Sequence, residues 1–299
     1  MQCPMEENYS IDKKELIRFT KWLISFKGIN GLVTNGHTGE IFSLTARERA
    51  DVTKIVVEAS QGKVPVISGL ACEGILEGID QAGMLKDAGA DGLLVMPFHH
   101  WLRFGFSQDH VIEYFYELGK ATGMNLVVHV YPAWTKANYN SDLLAELAKN
   151  EWVTTFKVGT REMSQYARDI KSIRNSSKEV SILTCHDEYL LASMVQGVDG
   201  ALVGFASFIP DMVVDLFESV NKGDLFKAQN IQDEIQPLKE AVYSSGEPSG
   251  EAHARMKTAM YLSGRLKSDT VRKPIKKPDG NAYEIIKNAI NNSSILNLK

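Results

Sequence analysis

Short apolar runs alternate with longer amphipathic segments from the first residues to about residue 221, and no other feature constrains the fold as much. The apolar runs are nearly continuous, as in strands of a parallel sheet that is covered on both faces. Seven such strands are predicted, at residues 31–35, 64–68, 92–96, 126–130, 153–157, 180–184 and 200–203.

A shorter run at residues 2–4 gives an eighth strand, although it is either a stub or truncated by the start of the sequence. Eight strand–helix units predict an α/β fold of the closed (β/α)8 TIM-barrel type rather than an open doubly wound sheet. No Gly-x-Gly-x-x-Gly follows an early strand, which disfavours a dinucleotide-binding fold. Residues 222–299 break the alternation, so we predict a barrel at 1–221 and a C-terminal helical extension at 222–299.

Composition excludes several classes of protein. Apolar residues make up 44% and charged residues 23% of the 299, as in globular domains with a large core. A net charge of −4 without a basic run disfavours a nucleic-acid surface, and no apolar run is long enough to span a membrane. Three scattered cysteines fit a reducing cytoplasm and form neither a disulfide framework nor a zinc motif. The seven histidines show no ligand spacing, so we expect no metal and no organic cofactor.

Lys157 closes the strand at 153–157, an unusual place for an ammonium group. In one interpretation, Lys157 lies just beyond the sheet and extends its amine to water. In the other, desolvation favours the free amine, which can attack a carbonyl and form a Schiff base. The residues that end the other strands favour the second interpretation.

In a barrel, catalytic groups lie at the carboxyl ends of the strands. The turn 36–40, with Gly36, His37 and Thr38, exposes amides and polar side chains that suit a carboxylate, although an ordinary turn capped by Thr38 is an alternative. Tyr131 ends a strand as either a core tyrosine or a proton carrier.

Four further residues were assigned from their position near strand ends. His99 and His100 are expected in a surface loop after the fourth strand, and Asp187 is expected to cap the following helix. Leu202, in the last strand, is expected to contact substrate.

The turn 36–40, Tyr131 and Lys157 together resemble the dihydrodipicolinate synthase / N-acetylneuraminate lyase family, over nearly the whole chain. The resemblance implies that Lys157 forms a Schiff base with pyruvate or another 2-oxo acid and that Tyr131 relays protons. It also implies that His37 and Thr38 bind the carboxylate of the 2-oxo acid and that the protein is a homo-oligomer, a tetramer or a dimer.

Three departures from the family pattern bear on the substrate. His37 replaces the first of two threonines, His99 stands where the synthase branch has a second tyrosine, and Lys136 stands where that branch has an arginine. Lysine cannot give the planar bidentate contact of arginine, so a true dihydrodipicolinate synthase is not expected. The loop at 101–106 is aromatic and basic, and we expect Arg103 or Lys136 to hold an acidic group of the second substrate. His99 is also expected to contact substrate.

The sequence therefore predicts a class I aldolase-type lyase that acts on a 2-oxo acid and an aldehyde-type substrate. Two alternatives stay open at this point. One is a dehydratase or deaminase of sugar acids in the same family. The other is a member that has lost catalysis and only binds a small molecule, which the presence of both Lys157 and Tyr131 disfavours.

Overall fold

The computed structural model describes residues 1–130, 137–243 and 250–297. Seven parallel strands form one sheet in which each strand lies beside the next along the chain. They are β1 (Leu32–Thr34), β2 (Val66–Leu70), β3 (Gly92–Val95), β4 (Asn125–Val130), β5 (Val153–Val158), β6 (Ser181–Thr184) and β7 (Gly200–Ala201).

Twelve α-helices occur in the described ranges, most of them between consecutive strands. They are α1 (Lys13–Leu23), α2 (Ala46–Ser60), α3 (Ile75–Asp87), α4 (His99–Phe104), α5 (Gln108–Thr122), α6 (Ser141–Leu147), α7 (Met163–Ser176), α8 (Leu190–Met194), α9 (Pro210–Asn221), α10 (Leu225–Tyr243), α11 (Ala252–Leu262) and α12 (Gly280–Asn291). Local sequence explains several of their starts. Thr45 and Glu48 form a capping box at the start of α2, Asn140 caps α6, and Pro210 occupies the first turn of α9.

The sheet is curled. The rings of His37, just after β1, and His129, in β4, lie with their centroids 5.3 Å apart. Three strand spacings in a flat sheet would separate these strands by about 14 Å. The curvature therefore encloses an inner face, and the parallel order with intervening helices agrees with the predicted (β/α)8 class.

The core has two layers, one on each face of the sheet. The larger layer lies between the strands and the helices, and it contains alternate strand residues such as Val128, Phe156 and Ile182. A smaller cluster of Ile41, Leu94, Met96 and Val127 fills the inside of the curl. Because both faces are buried, the strands are apolar at nearly every position, which is the pattern visible in the sequence.

The predicted eighth strand at residues 2–4 is not a strand of the described sheet. The amino group of Met1 nevertheless donates to the carbonyl of Val33 at 2.7 Å, and Gln2, Cys3 and Pro4 are buried. These residues therefore lie beside β1, where the first strand of a barrel belongs.

Within the described ranges, three α-helices follow residue 222. Helix α10 packs on α9, and α12 packs on both α10 and α11. The division at residues 221 and 222 remains a prediction. No helix within the described ranges is long and apolar enough to cross a membrane.

Candidate active site

Lys157 lies within β5, on the inner face of the curled sheet. Its side chain is 8% exposed. Its register partners are His129 on β4 and Leu183 on β6, so it does not lie beyond the sheet. Its charge influences His37, His129, Cys185 and His253, which come from four separate elements. The lysine is therefore the common neighbour of several polar groups that converge inside the curl.

His129, on the adjacent strand β4, is the register partner of Lys157. It is buried, and its Nε2 lies 3.8 Å from Sγ of Cys185. Burial lowers the pKa of His129 well below its ordinary value of 6.5, and the charges of Lys157 and His37 lower it further. The imidazole is therefore neutral at neutral pH.

The sequence-based assignment did not include His129. The signal was a single histidine inside an otherwise apolar strand, but only the register between β4 and β5 places it opposite Lys157. Tyr131 and Lys136, which were assigned to proton relay and substrate binding, lie outside the described residues.

The turn at residues 36–40 follows β1, and the preceding residue, Asn35, anchors it through side-chain hydrogen bonds. The Nδ2 of Asn35 donates to the carbonyl of Arg49 at 2.9 Å and to Oγ of Ser68 at 2.8 Å. Gly36 accepts from the amide of Gly39, and His37 accepts from that of Glu40, at 3.0 and 2.9 Å. The turn is thus tightly closed on itself.

The turn presents His37 and Thr38 toward the inner face. The ring of His37 is half-buried and stacks on Phe42 with centroids 5.6 Å apart. Burial lowers the pKa of His37 to about 3, helped by the charges of Lys157 and His253. Oγ1 of Thr38 lies so close to Gly204 that a Cβ there would approach it to 3.2 Å. Gly204 thus lets the segment after β7 approach the turn.

A buried ion pair fixes the far end of the turn. Nζ of Lys257, on α11, donates to Oε1 of Glu40 at 2.5 Å, and the two residues are 0% and 4% exposed. This contact ties a C-terminal helix directly to the loop that presents His37 and Thr38.

Asp187 does not cap α8, which corrects the sequence-based expectation. Helix α8 begins at Leu190 with Tyr189 as its N-cap. The carboxylate of Asp187 instead accepts from the amides of Gly204 and Phe205, at 3.0 and 2.7 Å, and from the hydroxyl of Tyr243. Burial raises the pKa of Asp187 to about 6. The aspartate therefore links the segment after β7 to α10 by hydrogen bonds. Leu202, which was expected to contact substrate, is half-buried in the segment after β7.

His99 and His100 begin a helix, α4, rather than lying in a surface loop. Their amides both donate to the carboxylate of Glu73 at 3.0 Å, and both side chains are exposed. Arg103 is also exposed, with its guanidinium 5.4 Å from the centroid of Phe104. The structure shows no contact of His99 or Arg103 with Lys157 in the described ranges.

The arrangement suits covalent chemistry at an amine. It combines a buried lysine, neutral imidazoles, a thiol whose pKa burial raises, and a turn with a hydroxyl. Within the described residues, no three histidine, cysteine, aspartate or glutamate side chains are grouped so that they could hold a metal ion.

Comparisons with known proteins identify the family. The model of the dihydrodipicolinate synthetase family matches residues 1–293. An uncharacterized DapA-like lyase of Rhizobium meliloti is 29% identical over 265 residues, which cover 89% of this chain and 85% of that protein. A 4-hydroxy-tetrahydrodipicolinate synthase of Methanoculleus marisnigri is 29% identical over 254 residues, covering 85% and 83% of the two chains.

The fold agrees with solved structures. YagE, a prophage protein of the dihydrodipicolinic acid synthase family from E. coli K12, was solved in complex with pyruvate. It matches with a TM-score of 0.88 at 22% identity, covering 100% of this chain and 97% of that one. The dihydrodipicolinate synthase of Thermotoga maritima matches with a TM-score of 0.89 at 20% identity, covering 98% and 97%. At these identities the likeness establishes the fold, and the family match over residues 1–293 establishes the relationship. This chain is therefore a lyase of the dihydrodipicolinate synthetase family.

Proposed function

We propose that Lys157 forms a Schiff base with pyruvate or another 2-oxo acid, and that the enzyme then makes or breaks a carbon–carbon bond. The observation that carries the proposal is the setting of Lys157. It is buried on the inner face among histidines and a thiol, and in the described ranges no carboxylate lies within ion-pair distance. An ammonium group without a counterion is costly to bury, whereas the free amine is the nucleophile that imine formation needs.

In the proposed reaction the amine of Lys157 is first consumed by imine formation and is then regenerated by hydrolysis. Nζ attacks the 2-oxo carbon, water leaves, and the protonated imine withdraws electrons from the bond to the neighbouring carbon. Loss of a proton from that carbon gives an enamine, which adds to an aldehyde. In the opposite direction, cleavage of the carbon–carbon bond gives the enamine. Hydrolysis of the imine then releases the 2-oxo acid and restores the lysine.

The carboxylate of the 2-oxo acid is assigned to the turn at residues 36–40. The amides of Gly39 and Glu40 donate within the turn, so the amide and hydroxyl of Thr38 are the donors that we assign to the ligand. The neutral His37 is the further donor. The proximity of Gly204 to Thr38 supports a site enclosed between the ends of β1 and β7.

The second substrate is proposed to differ from that of 4-hydroxy-tetrahydrodipicolinate synthases. Lys136 and His99 replace two residues of the synthase branch, and a lysine does not provide the bidentate contact of an arginine. We assign the second substrate to the side of the site near α4, with Arg103 and Lys136 as contacts and Leu202 lining the opposite side. Dehydration or deamination of a sugar acid uses the same imine and is the alternative reaction.

The setting of the enzyme is proposed on the same basis. No cofactor is needed, since the imine itself serves as the electron sink. We propose a homo-oligomer with the C-terminal helices α10–α12 as an extension of the barrel, acting in the cytoplasm, where three unpaired cysteines are stable.

Borohydride trapping tests the Schiff base. The protein is incubated with pyruvate, reduced with borohydride, and digested for mass spectrometry. A reduced pyruvyl adduct is expected on Lys157 and is expected to disappear in Lys157→Ala. The exposed Lys222 serves as the control, because Lys222→Ala removes an amine that pairs with Glu218 at the surface. Unmodified protein at saturating pyruvate, or an adduct that persists in Lys157→Ala, contradicts the proposal.

A further inference from the structure

We propose that the imidazole of His129 moves the proton at the carbon next to the imine of Lys157, a role that sequence resemblance assigns to Tyr131. The inference rests on the proposed Schiff base at Lys157. It makes His129 the acid–base group of the reaction, with Nε2 as the atom that takes and returns the proton.

The first support is the register of the sheet. β4 and β5 run parallel, with His129 directly opposite Lys157. Register partners in adjacent strands are about 4.8 Å apart and project from the same face of the sheet. Both side chains lie on the inner face: the ring of His129 lies 5.3 Å from that of the half-buried His37, and the charge of Lys157 lowers the pKa of His37. The imidazole is thus the nearest strand neighbour of the reacting amine on this side.

The second support is the orientation of the ring. Nε2 of His129 lies 3.8 Å from Sγ of Cys185, which follows β6 on the other side of β5. Lys157 is close enough to the same thiol to lower its pKa, against the larger effect of burial. The sulfur contacts Nε2 and lies within the electrostatic reach of Lys157, so Nε2 is directed toward the side of the site where the carbon atoms of an imine on Nζ would lie.

The third support is the protonation state. Among the described residues, three groups face His129: Lys157 from β5, Cys185 from after β6, and His37 from after β1. Burial, then the charges of Lys157 and His37, lower the pKa of His129 well below 6.5, so the ring enters the reaction as a neutral base. Burial raises the pKa of the Cys185 thiol, so the sulfur keeps its own proton at neutral pH and cannot take another. His129 is therefore the better proton acceptor of the two.

The step balances without a further reactant. Nε2 takes a proton from C3 of the protonated imine, the C3–H electrons form the C2–C3 double bond, and the positively charged imine nitrogen receives the π electrons. The enamine is then neutral at nitrogen, and the imidazolium carries the proton. When the enamine adds to an aldehyde, the imidazolium returns that proton to the new alkoxide. Cleavage runs through the same atoms in reverse order.

Hydrogen exchange at the methyl group of pyruvate tests this step without the second substrate. Protein and pyruvate are mixed in D2O, and loss of the methyl proton signal is followed by NMR. Imine formation is measured in parallel by borohydride trapping. In His129→Gln, exchange is expected to slow by ~10²–10⁴-fold, the usual contribution of a positioned acid–base group, while trapping continues.

His186→Gln is the matched control. His186 is equally buried, but its Nε2 contacts the carbonyl of Thr160 rather than the thiol of Cys185. The amide of glutamine can donate to that carbonyl, so both exchange and trapping are expected to stay within a few-fold of the parent protein. Tyr131→Phe is measured in the same way to compare the phenol with the imidazole.

The outcomes separate the proposals. Absence of trapping in the parent protein contradicts the Schiff base itself. Normal trapping with unchanged exchange in His129→Gln overturns the role of His129, as does a parent protein that forms the imine without any exchange. Exchange lost in Tyr131→Phe and kept in His129→Gln assigns the step to the phenol. Loss of trapping in folded His129→Gln moves His129 to imine formation and also overturns the assignment. Circular dichroism checks folding, and His129→Asn replaces a variant that does not fold.

Discussion

Two buried lysines lie at opposite ends of the loop that follows β1, and their surroundings differ. Lys257, on α11, is fully buried and pairs with Glu40 at 2.5 Å. Lys157, on β5, is 8% exposed and, in the described ranges, lies beside histidines and a thiol without a carboxylate. If Lys157 is the reactive lysine, as we propose, burial alone does not distinguish it from the structural Lys257. The presence or absence of a counterion does.

The difference follows from the cost of burying charge. A buried ion pair stays charged and hydrogen-bonded, so neither partner can serve as a nucleophile without breaking the pair. A buried amine without an anion is available to a ligand that brings its own carboxylate. Lys257 therefore holds the turn at residues 36–40 through Glu40, whereas Lys157 is the amine that we propose to react.

The largest expected effect separates the two lysines by reactivity. Lys157→Ala is expected to abolish the borohydride adduct with pyruvate. Lys257→Ala, examined at a temperature where it remains folded, is expected to keep an adduct on Lys157. It is expected to need a higher pyruvate concentration for half-maximal trapping. Mass spectrometry of the trapped peptide reads both. An adduct on Lys257 in the parent protein would contradict the idea that its ion pair with Glu40 keeps this lysine unreactive.

The second prediction separates the lysines by stability. Lys257→Met leaves Glu40 buried and unpaired, so the free energy of unfolding is expected to fall by about 3–5 kcal/mol. Lys157→Met removes a lysine that has no ionic partner among the described residues and is expected to change stability far less. Denaturant unfolding of both variants measures the difference.

A double variant controls this comparison. Glu40→Gln combined with Lys257→Met removes both charges and is expected to recover part of the loss, since no isolated ion then remains buried. A Lys257→Met protein as stable as the parent would show that the ion pair contributes nothing.

The third prediction concerns the pH dependence of stability, which reports the charge of His37 beside Lys157. His37 has a pKa lowered to about 3 by burial, then by Lys157 and His253, so the folded protein holds it neutral. The unfolded chain binds a proton below pH about 6.5, and the folded protein binds it only near pH 3. The free energy of unfolding is therefore not reduced by His37 above pH 6.5. It falls as the pH drops from 6.5 toward 3, because the unfolded chain then binds a proton that the folded protein does not.

His37→Asn tests that sign. The variant is expected to lose less stability than the parent between pH 6.5 and 4, when unfolding is measured in denaturant at several pH values. His110→Asn, on the exposed face of α5, is the control and is expected to follow the parent. Parallel pH dependences of His37→Asn and the parent would contradict the burial of a neutral ring.

Much of the fold could be predicted from sequence because it depends on local patterns. Continuous apolar runs located the seven strands, and capping residues such as Thr45 and Asn140 located helix starts. Residues 2–4 were counted as the stub of a strand because they precede the first helix and complete eight strand–helix units. The structure places them beside β1 without strand pairing, a distinction that depends on hydrogen bonds between distant segments.

The site was predictable only in part, for a related reason. Lys157 stood out because a charged group in an apolar strand is unusual by itself. His129 and Cys185 become meaningful only through register and through contacts across β5, which no local pattern encodes. Asp187 was expected to cap the nearest helix, yet it binds the amides of Gly204 and Phe205, far along the chain. The pair of Glu40 with Lys257 joins residues at opposite ends of the sequence in the same way.

The smallest expected effect concerns α4, which lies at the surface while the lysine site is buried. Arg103 is exposed, and its guanidinium lies over Phe104, with no ion pair to an acidic group among the described residues. Exposed charges contribute up to about 1 kcal/mol to an interaction, so Arg103→Ala is expected to raise the KM for an acidic aldehyde by about five-fold at most. Half-saturation of trapping by pyruvate is expected to stay unchanged, because Lys157 and the turn at residues 36–40 are untouched. Arg168→Ala, an exposed arginine on α7, is the control and should change neither value. If Arg103→Ala instead weakens trapping by pyruvate and leaves the KM for the aldehyde unchanged, α4 belongs to the 2-oxo acid site, and the contrast between a buried reactive centre and an exposed selective segment does not hold.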